Sequence, residues 1–329
     1  MESSQPLEIP DYRHLYLRAW SEPPARDGNR WQPPWPPGTP RNDRVLVFDI
    51  ETTVTVPQRL TFGFAALCEL TRSKGEVSAS LLHGWRFHAD DLETLDPDGY
   101  QTLHNYAAES PGSECTSECC WHDRDAFPLL SQTEFLDDVF WRLAHQARIP
   151  VVGFNLSFDL SMTARFARTK LDGFVFDLWG RPPTEPGKKW DRPPYRPGLR
   201  IRRRGSGHQI NFTGYSQPNE ADQIPESSPD GRPHTDYRYR GHFWDLSQIA
   251  FALTAKRNNL RDTGEDFAAS ILKTEAGKHG EITPNYIAYN RHDVAATVSL
   301  FERVMTEYER HPIDLLPETA YSPASIGKS

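Results

Sequence analysis

Asp49 and Glu51 stand at i and i+2 where an apolar run, RVLVFDIET at 44–52, ends in acids. The run predicts a buried strand, and the two-residue period of a strand points both carboxylates to one face. Two acids so placed repel each other unless a cation lies between them. Taken alone, the pair reads equally as solvated acids at a strand end. A second piece, NLSFD at 155–159, follows directly on PVVGF, a second predicted buried strand. Open α/β sheets place their sites at such C-terminal strand ends. Here the plainer reading is capping of a helix by Asn155, with Asp159 as a favourable first-turn acid. A third piece, YNRHD at 289–293, lies on a helix predicted from Pro284 to Glu309. Tyr289 and Asp293 fall one turn apart on one face. By itself this is an amphipathic helix with a packed tyrosine and a solvated aspartate.

The elements between these pieces must bring them together. Strands are predicted at 44–52, 60–69 and 78–88, the last two joined by the turn-like SKGE. Residues 89–127 read as a polar, irregular insert. A helix follows at 133–147, with Phe135, Leu136, Val139 and Leu143 on one face and Thr133 as N-cap. After PVVGFN comes a helix from Ser157 to Arg168, then an insert rich in Pro, Arg and Gly at 181–240 with one strand near 208–213. A helix near 245–254 precedes the last one. The expected class is α/β, a sheet flanked by helices and carrying insertions.

Outside this core, residues 1–43 read as a Pro-rich arm whose Trp20, Trp31 and Trp35 would pack it down. Residues 312–329 read as a tail or linker. Of the 329 residues, 37 are basic and 45 acidic, a net charge of −8. That argues against a whole-surface grip on nucleic acid but leaves room for a local basic groove. The run Arg202-Arg203-Arg204, with Arg200 before it, is the candidate, and a solvated loop is the competing reading. Lys256 and Arg257 are weaker candidates. No segment approaches the ~20 apolar residues of a membrane span, and the N-terminus lacks the pattern of a signal peptide. Four cysteines do not make a disulfide framework. A reducing, cytoplasmic setting with no membrane partner is expected. Cys115, Cys119 and His122 could hold a structural zinc, with His104 available to complete it, but adjacent Cys119 and Cys120 cannot easily both turn inward. Reduced thiols are the simpler reading.

The order D-x-E, N-x-x-F-D, Y-x-x-x-D, each on its expected element, resembles the 3′–5′ exonuclease domain of family B DNA polymerases, within the DEDD exonuclease superfamily. FDIET, NLSFD and YNRHD match its three motifs. The resemblance spans roughly 44–309, with softer likeness in FWDLSQIA at 243–250 and NNLRD at 258–262. It implies a ribonuclease H-like fold with a mixed central sheet. Tyr289, four residues before Asp293, matches the tyrosine branch of the superfamily. The histidine branch would need a histidine at Ala288, and His292 is the weaker idea for a base. By resemblance, Asp49 bridges two divalent ions, Mg²⁺ or Mn²⁺. Glu51 and Asp293 hold the ion that activates water, Asp159 serves the second, and Tyr289 orients the water. Asn155 and Phe158 would shape the pocket for the terminal nucleotide, with core packing equally open for Phe158. The activity implied is removal of 5′-mononucleotides from 3′ ends of single-stranded DNA or RNA, DNA favoured. The chain could act alone or proofread for a polymerase, or serve another replication, repair or defence protein. An idle nucleic-acid-binding module is the reading from another class, and a transposase or resolvase of the same fold is disfavoured by the tyrosine spacing.

Overall fold

The computed structural model describes residues 43–108, 127–170, 173–179, 196–213, 240–275, 279–311 and 315–327. The chain divides into two units, Met1–Arg41 and Asn42–Ser329. The expected arm with its tryptophans lies outside the described residues, as does the cluster of Cys115, Cys119 and His122.

Strand β1 spans Arg44–Thr52, β2 Leu60–Ser73 and β3 Glu76–His88. Helices α1, Leu92–Leu95, and α2, Pro97–Ala108, come next. Strand β4, Leu129–Ser131, leads into α3, Gln132–Glu134, which continues as a π-helical stretch over Phe135–Gln146. Then come β5, Val151–Gly153, α4, Leu156–Thr163, β6, Phe166–Lys170, and β7, Gly173–Asp177. Strands β8, Leu199–Arg204, and β9, Gly207–Phe212, form a hairpin. Strand β10, Phe243–Asp245, runs straight into α5, Leu246–Thr254. There follow α6, Leu260–Asp266, α7, Pro284–Arg310, a 3-10 turn at Pro317–Thr319, and α8, Pro323–Ile326.

The central sheet is mixed, in the order β10-β5-β1-β2-β3-β4. β1, β2 and β3 pair antiparallel, while β5 pairs parallel with both β1 and β10. Strand alternation divides the interior in two. Leu46, Phe48 and Ile50 of β1 pack with Phe135, Leu136, Val139 and Phe140 of the π-helical stretch. Val45 and Val47 pack on the other face with Ile249 of α5 and Val294, Val298 and Phe301 of α7. Asp49 and Glu51 continue this second row, so the two-residue period turns them toward the side covered by α7. Gly63 of β2 is held to glycine by crowding, since a Cβ there would lie 2.8 Å from the Asp49 carbonyl oxygen.

The protein is thus α/β, a mixed sheet flanked by helices. Several local expectations are corrected. Residues 92–108 are largely helical rather than irregular. The helix cap is Ser131, which forms a reciprocal box with Glu134, and Thr133 is already helical. The helix expected to reach Arg168 stops at Thr163, because residues 166–170 pair with β7 instead. That hairpin joins β8 and β9 in a second, antiparallel sheet, β6-β7-β8-β9, where one strand was expected. Residues 315–327 are packed rather than trailing. Glu318 accepts from Trp244 Nε1 at 2.9 Å and lies 2.7 Å from His242 Nδ1. No described helix is long and apolar enough to cross a membrane.

Candidate metal-binding site

Asp49, Glu51 and Asp293 converge. Each offers a carboxylate oxygen, and the three oxygens lie within 4.8 Å of one another. The first two come from β1, and α7 delivers the third. Thr283 caps α7 by accepting the Tyr286 N–H, and Pro284 starts its first turn. From there the 3.6-residue period stacks Tyr286, Tyr289, Asn290 and Asp293 on one face. The Tyr286 hydroxyl donates to Glu51 Oε2. Asn290 Nδ2 donates to Asp49 Oδ2 at 2.9 Å. The Tyr289 hydroxyl faces Lys273 and Asp293.

The fourth predicted acid, Asp159, lies in the first turn of α4, buried to 4% exposure. It does not join the other three within the same distance, but it is the strongest charge acting on Asp49. Asp49 thus feels the charges of Asp159, Asp293 and Glu51 together. Asn155, at the head of α4, adopts a left-handed backbone with φ 63° and makes no side-chain cap. The expected capping role is thus not taken up, and Asn155 lines the cleft instead. Phe158 packs against the hydrophobic core and is not among the cleft's lining residues.

The cleft has a volume of about 930 Å³. Asp49, Asn155 and Tyr289 face it, together with Asn259 and Arg261 of the α6 segment, Lys273 and His279. None of Arg202, Arg203 and Arg204 lines it. Arg202 and Arg204 instead donate to Gln209 Oε1 at 2.6 and 3.2 Å across the hairpin. Lys256 pairs with Asp266, and Arg257 donates to the Ser206 carbonyl. His292 turns away, its Nε2 2.9 Å from the Leu272 carbonyl oxygen, so it tethers the segment carrying Lys273 rather than reaching the cleft.

Electrostatically, the acids are frustrated. Burial and then the charges of Asp159, Asp293 and Glu51 push Asp49 well above the usual carboxylate range. Burial raises Glu51 to about 7, against the Tyr286 hydrogen bond. Burial and the neighbouring Asp245 raise Asp159, and burial raises Asp293. Among the described residues Lys273 answers them directly: its Nζ lies 2.5 Å from Asp293 Oδ2. Burial alone would lower Lys273, yet Asp293 and Tyr289 raise it, so it stays charged. Asp293 Oδ1 is buried with no hydrogen-bond partner. An unpaired buried carboxylate oxygen is costly. An all-oxygen donor set with one such oxygen suits a hard divalent cation, which would supply the missing charge and bond.

Sequence reasoning missed four residues around the site. Tyr286 and Asn290 could have been found by extending the Asp293 stripe back along its helix. Asp245 lay within the FWDLSQIA segment. Lys273 carries no local signal. Compared with protein-family models, curated proteins and solved structures, the chain has no match in any of the three.

Proposed function

We propose that this protein is a metal-dependent 3′–5′ exonuclease of the tyrosine branch of the DEDD superfamily, built on a ribonuclease H-like fold. The observation that carries this reading is the convergence of Asp49, Glu51 and Asp293, with Tyr289 one helical turn from Asp293. The substrate is the 3′ end of a single strand, DNA favoured, and the product is a 5′-mononucleotide.

Asp49, Glu51 and Asp293 would hold one Mg²⁺ or Mn²⁺, and Asp49 with Asp159 a second. Bound ions would supply Lewis acidity at the phosphodiester and lower the pKa of an attacking water. The protein's own groups do the positioning. Asn290 and Tyr286 fix the orientation of Asp49 and Glu51 through the bonds described above. Burial pushes the Tyr289 phenol up to about 12, so at neutral pH it is a hydrogen-bonding group and not a base. Its hydroxyl orients water beside Asp293. Lys273, charged and bonded to Asp293, keeps that carboxylate in place and offers positive charge to a phosphate entering the cleft.

Digestion of 5′-labelled DNA and RNA strands with Mg²⁺, against chelator, tests the reading. A metal-dependent ladder shortening from the 3′ end supports it, and internal cuts or no cuts overturn it.

A further inference from the structure

Asp245 is a fifth acid at the same edge of the sheet, 4% exposed. It ends β10, directly across from Gly153 at the end of β5. As N-cap of α5 it accepts from Ser247 N at 3.0 Å and from Ser247 Oγ at 2.7 Å on Oδ1. Capping accounts for those two bonds. It does not account for the third, in which the same Oδ1 accepts the Asn155 N–H at 3.1 Å across the strand gap. Asn155 has a left-handed backbone, a conformation that asparagine tolerates better than most residues but that still gains from outside support. Four residues on, the chain delivers Asp159. The two acids are close enough for their charges to oppose each other. Asp245 lies outside the cluster of Asp49, Glu51 and Asp293, and its Oδ1 takes three donors from the protein, which points to a supporting role.

We propose that Asp245 is a positioning residue, fixing the left-handed Asn155 turn so that Asp159 and the Asn155 edge of the cleft meet the β1 acids. This rests on the metal-dependent nuclease reading above. The acid couples two neighbouring parallel strands, so the start of α5 and the start of α4 move as one unit.

Two variants separate this role from capping and from catalysis. Asp245→Asn keeps an oxygen for all three donors and removes the charge. Asp245→Ser keeps a helix cap but is too short to reach Asn155. Three readings are taken on the full chain: 3′-end shortening, Mn²⁺ affinity by calorimetry, and amide exchange at Asn155. The asparagine variant is expected to keep wild-type exchange at Asn155 and to stay within about three-fold of wild type in activity and Mn²⁺ affinity, the residual change reflecting the lost charge beside Asp159. The serine variant is expected to lose roughly 10–100-fold in activity and Mn²⁺ affinity, the usual effect of removing a group that orients ligands. Its Asn155 amide should exchange at least about ten-fold faster as the local opening becomes easier. If D245S behaves as wild type, or D245N is as inactive as D49A, the proposal is overturned. Should wild type itself shorten no strand, the nuclease reading fails, while Asn155 exchange still decides whether Asp245 holds the turn. D245T, a second short cap, replaces D245S if the serine variant does not fold.

Discussion

Two groups of acids lie on opposite sides of one question, whether a carboxylate helps or opposes folding. At the head of the π-helical stretch, Asp90 accepts the Thr133 N–H at 3.0 Å and the Thr133 hydroxyl at 2.6 Å, and pairs with Arg165 at 2.5 Å. Burial alone would raise Asp90, but these donors outweigh it and the carboxyl is lowered. Nearby Glu134 is lowered by the Ser131 backbone and hydroxyl. At the candidate metal site, Asp49, Glu51, Asp159 and Asp293 are all raised, burial being the first cause of each. Ionised acids of the first group stabilise the fold, and those of the second destabilise it. A protein does not need four frustrated, buried acids near one another in order to fold. Their arrangement makes sense when a cation completes it, which is why we read the second group as functional and the first as structural.

The largest expected effect breaks the comparison at its functional end. Asp49→Ala or Asp293→Ala should reduce metal-dependent 3′-end shortening by at least about 10³-fold, the several kcal/mol a metal site contributes to a transition state. Without metal, either variant should melt close to wild type, since each removes a frustrated acid but leaves a donor, Asn290 Nδ2 or Lys273 Nζ, unmet. A variant with wild-type activity would sink the assignment. Next in size is the metal itself. At about 100 times its dissociation constant, Mn²⁺ should stabilise the wild type by roughly 2.7 kcal/mol. Thermal melts with and without chelator should show that shift in wild type and lose it in Asp293→Asn.

The structural group predicts the reverse pattern. Asp90→Ala should cost about 1–2 kcal/mol of stability by leaving the Thr133 and Arg165 donors unmet, with the activity of the folded fraction unchanged. Because the folded pKa of Asp90 is lowered, its contribution is present above the unfolded value near about 3.9 and is lost as pH falls through the folded one. The melting difference between wild type and variant should therefore stay constant from neutral pH down to about 5 and shrink below about 4. A difference that grew with acid would contradict the lowered pKa.

These groups were unequally visible in the sequence. Asp49 and Glu51 were legible because strand period alone aligns them, and Tyr289 with Asp293 because helix period does. Asp159 was placed correctly on its junction, but the αL turn that supports it depends on Asp245 of a strand 90 residues away. Lys273 was invisible for a similar reason. Its segment has no periodicity and is held by His292 at the Leu272 carbonyl and by Ser299 Oγ at the Ile271 N–H. The second sheet was missed because the helix after the NLSFD junction was extended to Arg168, and only long-range pairing with β7 makes residues 166–170 a strand. Local period therefore reveals which acids share a face, while tertiary contact decides which cation and which backbone support them.

The smallest effect bears on how the two groups divide the work of positioning. Tyr289→Phe removes one hydroxyl and leaves the three converging carboxylates and Lys273 in place. A phenol pushed up to about 12 by burial cannot be the base at neutral pH, so its loss should slow shortening by about ten-fold, roughly 1.4 kcal/mol, without abolishing it. The Mn²⁺-induced melting shift should survive, because the hydroxyl orients water and holds no ion. Activity lost as completely as in Asp49→Ala would instead make Tyr289 part of the group that carries the chemistry, moving the boundary between ligand and positioning residue one helical turn along α7.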